Sequence, residues 1–69
     1  MESIKQRVLE GDEITFSNDV DMLEIRRSGV RGSDDIVLEF NGKCIKSSTF
    51  NRVFKEFKHL VSFHEMSEV

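Results

Sequence analysis

The chain predicts an α+β fold: a short N-terminal helix, a four-stranded antiparallel meander, and a C-terminal amphipathic helix packed on one face of the sheet. Three observations carry that prediction. Asn41-Gly42 joins two alternating segments, the strongest short-range hairpin signal, because both residues tolerate the positive φ of a type I′ turn. Two further turns, at Asn18-Asp19 and at residues 28–33, bring the large apolar strand residues to the same side. After Ser48 the apolar period changes from two residues to that of a helix.

Residues 2–10 read as a helix, with Ile4, Val8 and Met1 on one face and Gly11 as its stop. So short a helix is unstable alone in water and must dock on something. Residues 13–17 form the first strand, with Ile14 and Phe16 on one face. Residues 20–27 form the second, with Leu23 and Ile25 inward. A two-residue loop at Asn18-Asp19 sets Ser17 opposite Val20 and Ile14 opposite Leu23. The loop 28–33 sets Arg27 opposite Asp34, Ile25 opposite Ile36 and Leu23 opposite Leu38. At Asn41-Gly42, Phe40 faces Lys43 and Leu38 faces Ile45. The expected inner face is Ile14, Phe16, Leu23, Ile25, Ile36, Leu38, Phe40 and Ile45.

Phe50, Val53, Phe54, Phe57, Leu60 and Val61 then recur at helical spacing, with Ser47, Ser48 and Thr49 as candidate N-caps. This helix should cross the inner face of the sheet. Its three phenylalanines supply the largest burial, each worth roughly 1.5–3 kcal/mol against exposure. Residues 63–69 carry no pattern and are expected to fray.

A chain of 69 residues holds one small domain, 1–69. At this size a single core supplies only about 3–5 kcal/mol. Cys44 is the one cysteine, so no disulfide can add to that. Helix–sheet packing or self-association, a homodimer included, must supply the stability. The lone cysteine, and first residues without an apolar signal core, point to a soluble protein of the reducing cytoplasm. No run approaches the roughly 18–20 apolar residues that span a bilayer.

Net charge is −3, unevenly spread. Residues 1–25 hold seven acids and two bases, and residues 26–69 sum to +2. Such polarity suits a partner surface or head-to-tail self-pairing.

Glu10, Asp12, Glu13, Asp19, Asp21 and Glu24 are the first candidate site. Carboxylates spaced on a small rigid domain can imitate a phosphate backbone; the plainer reading is solubility and turn chemistry. Their spacing fits no calcium loop. The second candidate is Gly29-Val30-Arg31-Gly32-Ser33 with Arg26 and Arg27, where arginines on a glycine-rich tip can grip phosphates. A G-x-x-G loop with a basic residue resembles the backbone-clamping loop of KH domains, but that loop joins helices and this one joins strands. The plainer reading is a hairpin loop with solvated arginines. The third is the exposed side of the C-terminal helix, where Arg52, Lys55 and Lys58 alternate with Glu56 and His59 downstream of Lys43 and Lys46. An anion-facing surface competes there with an ordinary solvated face. The fourth is the outer sheet face, where Met22, Val37 and Cys44 alternate with Thr15, Glu24, Arg26, Glu39 and Lys46. That half-apolar face, or the edge strand 13–17, could receive a partner or a second copy.

Catalytic and metal readings find little support. His59 and His64 stand five apart, not the four that place two ligands on one helix face. Cys44 has no nearby cysteine and reads as a small apolar filler. No nucleophile setting, phosphate loop or dinucleotide fingerprint appears. The expectation is a non-enzymatic protein without cofactor or metal, which binds a host or partner protein through Glu10, Asp12, Glu13, Asp19, Asp21, Met22, Glu24 and Val37. In size and layout it resembles the small host-takeover or anti-defence inhibitors of phages and other mobile elements. The alternative is a sheet-based DNA-binding module. Asn41-Gly42-Lys43, followed by Ser48-Thr49-Phe50 and a helix, resembles the arm-binding domains of phage-type integrases, which lay a three-stranded sheet in the major groove. That resemblance implies Arg26, Arg27, Arg31, Lys43 and Lys46 as contacts. Such modules are usually basic, and this chain is not.

Overall fold

Two helices lie on one face of an antiparallel sheet, and among the described residues no element covers the other face. The computed structural model describes the backbone from Glu2 and the side chains from Ile4 onward, so the expected place of Met1 lies outside the described residues. The elements are α1 (Glu2–Leu9), β1 (Ile14–Ser17), β2 (Met22–Arg27), β3 (Ile36–Phe40), β4 (Lys43–Ser48), α2 (Phe50–Phe63) and β5 (Ser67–Glu68). The sheet order is β4-β3-β2-β1-β5. The α+β meander predicted from the sequence is therefore the fold, with a fifth strand added.

Gly11, with φ 105°, ends α1. Its N–H donates to the Val8 carbonyl, and that of Asp12 to the Arg7 carbonyl, the paired bonds of a helix stop in which a left-handed residue reverses the chain. Ile4 and Val8 then dock α1 over β1 and β2, while α2 lies over β2, β3 and β4. Ile14, Leu23, Ile25, Ile36 and Leu38 from the sheet meet Val53 and Phe57 from α2, all essentially without exposure. The Phe16 and Phe57 rings pack edge to face at 5.1 Å, a preferred geometry for aromatic pairs. Phe40, Phe50, Phe54, Leu60 and Val61 border this core.

Register departs from expectation at two loops, by the same amount. Ile14 pairs with Ile25, not Leu23, because the β1–β2 turn spans residues 18–21. The Asn18 carboxamide oxygen accepts from Val20 and Asp21 N–H at 2.8 and 2.6 Å, closing a four-residue turn. Ile25 pairs with Leu38 and Arg27 with Ile36, because Ser28 N–H donates to the Asp35 carbonyl and the loop runs over residues 28–35. Each shift is two residues. An even slip leaves every side chain on its predicted face.

The β3–β4 hairpin turns at Asn41-Gly42 as predicted, with φ 53° and 84° and Phe40 opposite Lys43. Past it the expectation fails. Glu39 pairs with Cys44 but Leu38 with Lys46, so Ile45 is the extra residue of a β-bulge. Ile45 is 46% exposed and leaves the inner face. Cys44 is exposed rather than a core filler.

The C-terminal segment, where no pattern was expected, forms a turn and a short strand. Glu65 takes φ 51°, its N–H donates to the Ser62 carbonyl, and that of Met66 donates to the Val61 carbonyl at 3.0 Å. This repeats the stop of α1 with glutamate in the glycine position. Met66 enters the core, and Ser67 and Glu68 pair with Ser17 and Phe16. The strand expected at the sheet's edge is thereby covered over Phe16 and Ser17.

Candidate functional site

The open sheet face is built by the strand positions that do not reach the helices. Glu24 and Arg26 on β2 and Val37 and Glu39 on β3 occupy its centre, with Thr15 and Ser17 on one side and Cys44 on the other. Glu24 and Glu39 are directly opposed, a pairing that like charge disfavours. Arg26 resolves it, because its guanidinium donates to Glu24 Oε1 and to Glu39 Oε2, each at 3.0 Å. All three side chains are about a quarter exposed. The hydrogen bond to Arg26, aided by its charge, holds Glu39 below the usual carboxylate range. The bond to Glu39, with the fields of Glu39, Glu24 and Glu13, outweighs desolvation and raises the pKa of Arg26. Two carboxylates thus hold one cation, and with Glu13 adding to the field the face as a whole is acidic. Met22, 56% exposed, stands at its rim and Val37 is buried beside the guanidinium.

The predicted acidic set is not one patch. Glu24 is on this face, and Glu13, just before β1, contributes to its field. Glu10 and Asp12 lie at the α1–β1 connection, with Asp12 Oδ2 3.8 Å from Arg7 Nε. Asp19 is exposed in the β1–β2 turn at the other end of the sheet. Asp21 is held there, accepting from Asn41 Nδ2 at 2.9 Å and lying 3.6 Å from His64 Nδ1. This Asp21–Asn41–His64 cluster, which no local sequence pattern announces, ties the β1–β2 turn to the β3–β4 turn and to the end of α2. Asn18 Nδ2 adds a third tie by donating to the His64 carbonyl at 2.8 Å.

The predicted basic set is dispersed as well. Arg26 is engaged by two carboxylates. Arg27 is 3.7 Å from Asp34 and donates to the Leu9 carbonyl at 3.3 Å. Arg31 stands exposed on the 28–35 loop, beside an open depression of about 770 Å³ that Glu13 and Asp34 also line. Lys43 begins β4 at the opposite end of the sheet. Lys46, beyond the bulge, pairs with Leu38 and joins the α2 side, not the outer face where it was expected. A groove of about 500 Å³ there is lined by Lys46, Arg52, Lys55, Glu56 and His59.

Among the described residues, no three His, Cys, Asp or Glu side chains converge as metal ligands would. Among the same residues, no helix is long and apolar enough to cross a membrane. Compared with known proteins, the chain matches no family model, no curated protein and no solved structure.

Proposed function

We propose that this chain is a non-enzymatic binding protein that acts by seating its open sheet face on a basic surface of a partner protein, in the manner of a small inhibitor. One observation carries the reading. The uncovered face presents a fixed acidic centre, Glu24–Arg26–Glu39, framed by Met22, Val37 and Cys44. Ion pairing within the face freezes the three charged side chains before any partner arrives, which lowers the ordering cost of association. Net negative charge at the centre steers toward a basic partner and repels phosphates. The same chemistry weighs against a sheet-face DNA reader, whose central cation would already be neutralised and whose other contacts are scattered.

Capture from a nuclease-treated bacterial lysate, run in parallel with a Met22→Arg variant and an Arg52→Ala/Lys55→Ala variant, tests this. The reading expects one stoichiometric protein with a basic surface, retained by the α2 variant and lost with Met22→Arg. Retention by Met22→Arg, with its fold verified by circular dichroism, sinks the reading.

A further inference from the structure

Cations in this fold are sorted by location. Residues 41–64, which contain β4 and α2, hold five bases and one acid, whereas the rest of the chain sums to −7. On the acidic side three of the five cations are held in pairs: Arg7 with Asp12 and Glu68, Arg26 with Glu24 and Glu39, Arg27 with Asp34. On the β4–α2 side no such pairing occurs. Lys43, Lys46, Arg52 and Lys55 form no ion pair among the described residues, although Glu56 lies within the same groove. Clustering like charge opposes folding, and the one carboxylate in the groove, Glu56, stands against three cations there, Lys46, Arg52 and Lys55.

The helix sets these charges in a row. Arg52, Lys55, His59 and Phe63 follow one another at three- and four-residue spacing, which is one face of α2, and Lys46 lies across the groove on β4. The row spans roughly 16 Å at the helical rise. At its far end Phe63 is 72% exposed and lies stacked on the His59 ring at 6.1 Å. An exposed aromatic ring at the end of a cationic row matches the pairing of stacking platform and phosphate track that sequence-tolerant single-strand binders use.

We propose that the α2–β4 strip binds single-stranded nucleic acid, with Lys46, Arg52 and Lys55 on phosphates and the His59–Phe63 stack under a base. The site lies on the helical side of the molecule, away from the open sheet face, and stands or falls independently of the partner-binding reading.

Fluorescence anisotropy of a labelled oligo-dT 12-mer with the intact chain, from 50 to 200 mM salt, tests it. Affinity falls as salt rises, and Arg52→Ala/Lys55→Ala flattens the logarithmic slope by about 1.4, two single-strand phosphate contacts at roughly 0.7 each. Phe63→Ala weakens binding about tenfold through lost stacking. These positions are exposed, so the variants keep their fold, and circular dichroism verifies it. Absence of binding at 50 mM salt overturns the proposal. So does equal binding of an oligo-glutamate peptide with no effect of Phe63→Ala, which assigns the strip to an acidic protein. Loss of a wild-type dimer in the Arg52→Ala/Lys55→Ala variant, with no oligonucleotide bound, assigns it to a second copy.

Discussion

Glu24 and Glu39 stand directly opposite each other on neighbouring strands, and Arg26, two residues along from Glu24, reaches both carboxylates at 3.0 Å. A repulsive cross-strand pair thus becomes a three-membered ionic centre on the open face of the sheet. Replacing Arg26 by Gln leaves the two carboxylates unneutralised, and the expected result is a melting temperature lower by about 5 °C at pH 7. Acid narrows the gap. Because Arg26 lowers the Glu39 pKa, this contribution is complete above the ordinary glutamate value of about 4.3 and is lost as pH falls through the lower folded value. Thermal melts from pH 7 to pH 3 should bring wild type and Arg26→Gln together at the acid end. A gap that stays constant with pH would show that the triad is not held electrostatically.

The turn from α2 into β5 places a glutamate where a left-handed conformation is needed. A non-glycine residue there costs about 1–2 kcal/mol, partly offset by the roughly 0.5–1 kcal/mol of extra entropy that glycine loses on folding. Glu65→Gly should therefore stabilise by about 0.5–1 kcal/mol in a urea melt. Met66, 6% exposed beyond that turn, is the opposite case. Met66→Ala should cost about 2 kcal/mol or more; no change in the urea midpoint would mean that the terminal strand does not pack.

Phe57 joins sheet and helix, fully buried and edge-on to Phe16. Truncation to alanine costs about 3–5 kcal/mol in a well-packed core, comparable with the whole stability of a domain this small. Phe57→Ala should be substantially unfolded at 25 °C by far-ultraviolet circular dichroism, whereas Phe57→Leu, which keeps most of the volume, should fold with a lowered melting temperature.

The meander was legible in the sequence because its signals are local and redundant. Strand alternation, Asn41-Gly42 and the Phe50–Val61 stripe each point to the same faces, so two loop errors of even length left the faces unchanged. What escaped has physical causes. The bulge at Ile45 has no glycine to announce it, and it expels a residue whose hydrophobicity argues for burial. The stop after α2 uses Glu65 in place of glycine, so β5 and Met66 read as a tail. Charged residues were recognisable as candidates, yet their sorting was not. Only pairing in space shows that Arg26 is neutralised while Arg52 and Lys55 are left without carboxylate partners.

The most direct test of the account is a titration of the ¹⁵N-labelled protein with an arginine- and lysine-rich peptide, followed residue by residue through amide chemical shifts. The peptide stands in for the basic surface of a partner. The account predicts saturable changes centred on Thr15, Met22, Glu24, Val37, Glu39 and Cys44, with Arg52 and Lys55 unmoved. Changes confined to Glu10, Asp12 and Asp19, with the sheet centre silent, would contradict it and return the acidic residues to the role of ordinary solvated charge.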